Sequence, residues 1–206
     1  MHPNPAFRST PLQDNLAFAQ ARGFGILSVN GADGPLAAHV PFLISPDAGF
    51  AELHLARSNP VGQACLEGPV AAVIMVSGPD AYISPDWYGS DDQVPTWNYI
   101  AVHLRGLLSA LPEAALHPHV DALSAEHENR LLPKTPWQSS KMSQGAMPRM
   151  LRMILPFRFE IGSVEGTWKL NQNKTPEVRR GAVDHLAQQS DAGSQAIAAL
   201  MRRDLE

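Results

Sequence analysis

Arg57-Ser58-Asn59-Pro60 stands where an apolar run ends and a short helical stretch begins. Asn59 suits an N-cap and Pro60 the first helical turn. Backbone N–H groups at a helix start, beside a guanidinium and a hydroxyl, make an anion site suited to a phosphate. The same four residues also describe a capped helix carrying a surface arginine, and spacing does not separate the two readings. A second cluster, Val94-Pro95-Thr96-Trp97-Asn98-Tyr99, offers an aromatic wall and an amide that can donate and accept. It matches a planar ring with polar edges; on the sequence alone, interface packing with satisfied hydrogen bonds is the slightly better reading. The third, Gly166-Thr167-Trp168-Lys169-Leu170-Asn171-Gln172-Asn173-Lys174, sets amides between two lysines and a tryptophan after a strand. It reads as a loop recruited to a site, with a solvated turn as the alternative.

Other chemistry recedes on inspection. His39, His54 and His103 lie on separate strand candidates without metal-ligand spacing, and structural roles suit them. His117 and His119 flank Pro118 and are read as decorating a helix start. Ser84-Pro85-Asp86 lacks the glycines of a nucleophile elbow, and no dinucleotide fingerprint or phosphate-binding loop with its lysine is present. Cys65 is the single cysteine, which excludes an internal disulfide and a thiolate metal cage within one chain.

Charge narrows the partners. The 16 Lys and Arg against 20 Asp and Glu leave −4, which argues against holding nucleic acid by bulk electrostatics. The segment Met1 to Phe7 lacks a secretory start, and no apolar run approaches the roughly 20 residues of a membrane helix. The expectation is a soluble, cytoplasmic protein.

The elements that must position these residues follow from period and punctuation. Thr10-Pro11-Leu12-Gln13 predicts a helix start, with Leu12, Leu16 and Ala19 on one face and Gly23 as the stop. Phe24 to Val29, Leu36 to Ile44, Phe50 to Leu55 and Val70 to Val76 are short strand candidates separated by turn residues, which favours an antiparallel meander or barrel. Thr96 to Leu108 is the longest strand candidate. Ile100, Val102 and Leu104 face one way; Trp97, Tyr99, Ala101, His103 and Arg105 face the other. Pro112 to Leu132 reads as a helix interrupted at Pro118, Lys134 to Pro148 as a long loop or lid, and Phe157, Phe159 and Ile161 as a further strand. Two helices close the chain, from Thr175-Pro176 and from near Asp191.

Four motifs together carry a family resemblance: His54-Leu55-Ala56-Arg57-Ser58-Asn59-Pro60; Ala81-Tyr82-Ile83-Ser84-Pro85-Asp86-Trp87-Tyr88; Val94-Pro95-Thr96-Trp97-Asn98-Tyr99-Ile100-Ala101-Val102-His103; and Glu165-Gly166 with Trp168-Lys169-Leu170-Asn171-Gln172-Asn173-Lys174. In order and spacing the chain resembles the PaiB-type FMN-binding negative transcriptional regulators. The resemblance implies a mainly β fold with peripheral helices, an antiparallel split β-barrel related to pyridoxamine-phosphate oxidases and flavin reductases. It implies a barrel domain over residues 1–174 with a helical insertion around 112–153, and a C-terminal helical extension over 175–206. FMN is then expected in a cleft between the subunits of a homodimer. Arg57 and Ser58, with the Asn59 helix start, would take the phosphate; the strand bearing His39 and Val40 would pass the isoalloxazine ring. Trp97, Asn98 and Tyr99 would frame the site, and Lys169, Gln172 and Asn173 would close it.

That resemblance leaves the role of the flavin open. A regulator would need DNA, yet no helix-turn-helix with a basic recognition helix is apparent, so DNA rests on the resemblance alone. An FMN-dependent oxidoreductase is the alternative, with Tyr99 and His103 the candidates for proton transfer and no residue committed as catalytic. A haem-binding split barrel and a flavin-free dimer are further readings.

Overall fold

A two-residue turn, Ala32-Asp33, joins strand β1 (Phe24–Gly31) to β2 (Gly34–Ile44), with Gly31 paired to Gly34 at the hairpin end. Gly34 has φ +133°, a conformation that costs glycine nothing. This computed structural model describes residues 1–203 and 205. Strands β3 (Phe50–Ala56), β4 (Val70–Ile83), β5 (Thr96–Ala110) and β6 (Ile154–Lys169) complete the set. They pair in the order β1-β2-β3-β6-β5-β4 and close into a barrel. The pairings of β1 with β2, β2 with β3, β3 with β6 and β1 with β4 are all antiparallel. The fold is the antiparallel split barrel that the resemblance implies.

Among the described residues six α-helices accompany the strands: α1 (Leu12–Arg22), α2 (Pro60–Gln63), α3 (Leu116–Asn129), α4 (Ala146–Leu151), α5 (Pro176–Ala187) and α6 (Ala192–Arg203). The chain divides into two compact units. One comprises residues 16–75 and 104–164; the other gathers residues 1–15, 76–103 and 165–206. In the first unit alternate strand residues fill a dry core of Leu27, Val40, Phe42, Leu53, Leu55, Ile74, Leu104, Phe157 and Phe159, each under 5% exposed. Period-2 alternation directs these side chains inward. In the second, Ala81, Ile83, Tyr88 and Leu170 pack with Ala182, Leu186, Ile197 and Met201 of α5 and α6.

Several elements depart from the sequence reading. In α1 the buried residues are Asn15 and Ala19, while Leu12 is 57% exposed; a polar side chain takes the inward position because hydrogen bonds await it there. Strand β4 continues past Val76 to Ile83. Its buried positions are even-numbered at Ile74 and Val76 and odd-numbered at Ala81 and Ile83, so Gly78-Pro79 shifts the alternation instead of ending the strand. Pro118 does not interrupt α3: it falls in the first turn, where its missing N–H costs no helical bond. The 134–148 segment is mainly irregular but contains a 3-10 turn, Ser139–Lys141, and the start of α4. Strand β6 absorbs Gly166 to Lys169, leaving only the following residues as a loop.

Candidate functional site

The phosphate candidate lies in the unit of residues 16–75 and 104–164, just past the end of β3. Asn59 has extended backbone angles, and its Oδ1 accepts the Val61 N–H at 2.9 Å, with Pro60 starting α2. The expected anion-binding helix start is much reduced, because α2 is one turn of four residues. Pro60 has no N–H to give and Asn59 has taken that of Val61, so what remains for an anion is chiefly side chain.

Arg57 supplies it. Its Nε donates to the Arg152 carbonyl at 2.7 Å, and its Nη2 meets Glu113 Oε1 at 2.6 Å. The Arg57 N–H bonds the Met153 carbonyl at 3.0 Å, and Gln63 Nε2 donates to the Arg57 carbonyl. Glu113, Arg152 and Met153, all between β5 and β6, therefore hold the arginine, which no local pattern around position 57 announces. Glu113 is 68% exposed in its side chain, so its pairing with Arg57 is a surface ion pair worth about 0–1 kcal/mol. Ser58 is exposed beside it. A guanidinium parked on an exposed carboxylate, next to an open hydroxyl, fits a phosphate that would replace that carboxylate.

On β2, Val40 is 1% exposed and points into the barrel, while His39 is exposed and its ring stacks on Phe24 at 6.4 Å and 28°. Phe24 is thus a ring neighbour of His39 that the strand pattern did not single out; pairing of Phe24 with Pro41 across the hairpin brings them together. On β3, His54 Nδ1 lies 3.2 Å from His119 Nε2 of α3. His119 is 3% exposed, so it is no decoration of a helix start. Burial, then the His54 charge, lowers its pKa to about 4, with Glu52 acting the other way.

The remaining predicted residues lie in the unit of residues 1–15, 76–103 and 165–206. Asn98 is fully buried: its Nδ2 donates to Met201 Sδ at 3.3 Å and its Oδ1 has no hydrogen-bond partner among the described residues. The amide shares the inward face of β5 with Ile100 and Val102. Trp97, on the outward face, is 54% exposed, and Tyr99 is half-buried.

The 166–174 motif works as a knot. Lys169 Nζ donates to Thr96 Oγ1 and lies 5.8 Å above the Phe7 ring; burial lowers its pKa. Gln172 folds onto its own backbone, accepting the Leu170 N–H at 2.8 Å and donating to the Trp168 carbonyl. Asn171, at φ +60°, donates to the Tyr88 hydroxyl at 3.2 Å, and Lys174 bonds Gln93 above the Tyr88 ring. Trp168 Nε1 donates to Asn15 Oδ1 at 2.9 Å. Asn173, alone of the three predicted residues here, stands exposed. Asn15, Tyr88, Gln93 and Thr96 are the partners that the sequence reading missed, each being remote along the chain.

Comparison with known proteins identifies the family and the fold. A family model described as "Putative FMN-binding domain" covers residues 1–163. The protein named "Protease synthase and sporulation protein PAI 2" of Bacillus subtilis is 28% identical over 202 residues, spanning 97% of this chain and 96% of that one. Among solved structures, the FAD and haem binding protein from Mycobacterium smegmatis superposes with TM-score 0.56 at 15% identity, covering 79% of this chain and 73% of that chain. The flavocytochrome Anf3 from Azotobacter vinelandii gives 0.54 at 12% identity, covering 82% and 72%. At these identities the structures establish the common fold.

Proposed function

The chain belongs to the FMN-binding-domain family, and we propose that it is a flavoprotein of the PaiB type that serves in the negative control of transcription. Its cofactor is FMN. The observation that carries the reading is the Arg57 turn: a guanidinium held by two carbonyl and carboxylate partners, one of them an exposed Glu113 that a phosphate dianion can displace. Ser58 would add a hydroxyl donor, and Asn59 keeps the turn shaped by capping α2. The ring would lie along β2 near His39 and Phe24, where an exposed aromatic pair provides a surface for stacking. Bound FMN supplies redox chemistry at that ring. A homodimer belongs to this reading, with the exposed Phe24 and Leu107 as apolar surface for a second subunit to cover.

One observation weighs against direct DNA reading and leaves an FMN-dependent oxidoreductase as the second reading. Helices α5 and α6 are joined by a short turn, but α6 begins at the acidic Asp191 cap and carries Arg202 and Arg203 only in its last turn. A recognition helix presents its N-terminal residues to the bases, so this pair is ill suited to reading DNA directly. Regulation would then run through flavin state or a protein partner.

The visible spectrum of freshly purified protein, followed by FMN titration of wild type and Arg57→Ala, tests the cofactor reading. Flavin bands that Arg57→Ala loses support it; a haem spectrum, or equal FMN affinity in both proteins, overturns it. Gel-shift titration over a range of salt and NADH oxidation with added FMN then separate the two roles.

A further inference from the structure

Within the unit of residues 1–15, 76–103 and 165–206 lies a second cavity, of about 490 Å³, that the phosphate turn does not use. Its walls are aromatic and its rim acidic. Tyr82 points outward from β4 because Ala81 and Ile83 point inward, and Trp97 points outward from β5 because Asn98 and Ile100 point inward. The two rings meet edge to face at 6.0 Å and 71°, and both stay largely open, at 46% and 54% exposure. Trp87 forms the third wall. One face of its indole is stacked on His185 at 5.5 Å and 7°, which fixes the ring. Its carbonyl lies 2.4 Å from where a Cβ on Gly181 would stand, so α5 approaches as closely as glycine allows.

The rim is built by the start of α6. Asp191 Oδ1 caps that helix, accepting the Ser194 N–H at 2.7 Å, and hydrogen bonds from Ser194 hold its carboxyl below the usual carboxylate range. Gly193 packs against the Asp80 carbonyl, where a Cβ would come within 2.6 Å, so Asp80 and Asp191 border the same opening. Neither carboxylate has an ion-pair partner among the described residues, and no Lys or Arg lines the cavity. Gln189 completes the lining with an amide.

Three aromatic side chains and two carboxylates without an ion-pair partner among the described residues, around one cavity, are matched by a single ligand class. Ring faces carry negative quadrupole potential that attracts cations, and the carboxylates add charge. We infer that this cavity binds a small organic cation, a primary or quaternary alkylammonium. The assignment requires a flavin that does not lie against Trp97, and it gives that residue a role other than framing the isoalloxazine ring.

The test is titration of the full-length protein, with whatever flavin it carries on purification, by tetramethylammonium and n-butylammonium chloride. Indole N–H signals of the four tryptophans are followed by NMR, with the flavin spectrum recorded in parallel. Saturable shifts of Trp87 and Trp97, with Trp137 and Trp168 unmoved and the flavin bands unchanged, are expected. The double variant Asp80→Asn/Asp191→Asn keeps an N-capping side chain while removing both charges, and should weaken binding about tenfold. Trp97→Ala should weaken it further and Trp97→Phe should restore part of it. Equal binding of neutral tert-butanol, or no saturable shift with either cation, overturns the inference. So does a change in the flavin spectrum on Trp97→Ala, which would return Trp97 to the flavin. A drop in sedimenting mass for that variant would mean that a second copy of the chain covers the face, and overturns it too.

Discussion

The imidazole of His119 on α3 meets that of His54 on β3 across 3.2 Å, with His119 almost wholly buried. One ring must donate and the other accept, so the pair is satisfied only while at least one ring is neutral, and two protonated rings would repel. It ties α3 to the barrel strand that leads to Arg57.

Stability should therefore depend on acid in a defined direction. Burial lowers the pKa of His119 from 6.5 to about 4, and that of His54 is also lowered. Between those limits the unfolded chain binds more protons than the folded one, so stability is full above the unfolded value and falls as pH drops from 6.5 toward 4. Calorimetric Tm measured across this window should decline for the wild type and decline less for His119→Leu. Identical pH profiles in the two proteins would show that other groups govern the acid limb.

Arg57→Ala should cost binding and little else. A charge-assisted contact to phosphate is worth about 1.5–3 kcal/mol, or about 10- to 100-fold in FMN affinity, whereas the exposed pair with Glu113 adds about 1 kcal/mol at most to folding. Glu113→Gln removes the competing anion and should tighten FMN modestly. Fluorescence quenching titrations with matched urea melts check both. A large loss of stability in Arg57→Ala would recast the arginine as a clasp for the insertion.

Gly166 admits a side chain only if Asn15 gives way. A Cβ there would stand 1.9 Å from Asn15 Oδ1, the atom that accepts the Trp168 indole N–H. Gly166→Ala should destabilise by about 2–4 kcal/mol through overpacking and the broken bond. In urea denaturation the double variant with Asn15→Ala should recover part of that loss, since the two residues occupy one space. Additive losses would indicate that the clash is relieved elsewhere.

Asn98→Leu should stabilise the protein. The amide is fully buried, with its oxygen unpaired and its nitrogen facing only a thioether. An apolar side chain of similar volume removes an unmet hydrogen bond, a gain of about 1 kcal/mol. FMN affinity should not change. A variant that folds well but loses FMN would place this amide against the cofactor after all.

The alternating strands, the Ala32-Asp33 hairpin, the Asn59-Pro60 cap and the inward face of β5 were all legible in the chain, because each is set by neighbours within a few residues. So was the family, through motifs spread from His54 to Lys174. Less was legible where a local rule has two outcomes. Gly78-Pro79 could end a strand or shift its alternation, and Pro118 could break a helix or begin one. In both places packing chose the second.

The candidate site shows the same division. Residue types at 57–59 admit phosphate chemistry without separating it from a capped helix with a surface arginine, and the outward Trp97 follows from the period of β5. The partners do not: Glu113 and Arg152 for Arg57, His119 for His54, and Asn15 for Trp168 lie far along the chain from the groups they meet. Nothing in a stretch of a dozen residues encodes such pairings, because they exist only after folding has removed water and brought distant segments together. Residue order dictated which groups are present and which way each strand points them. Tertiary packing alone determined which stayed open for a ligand and which were consumed in holding the protein together.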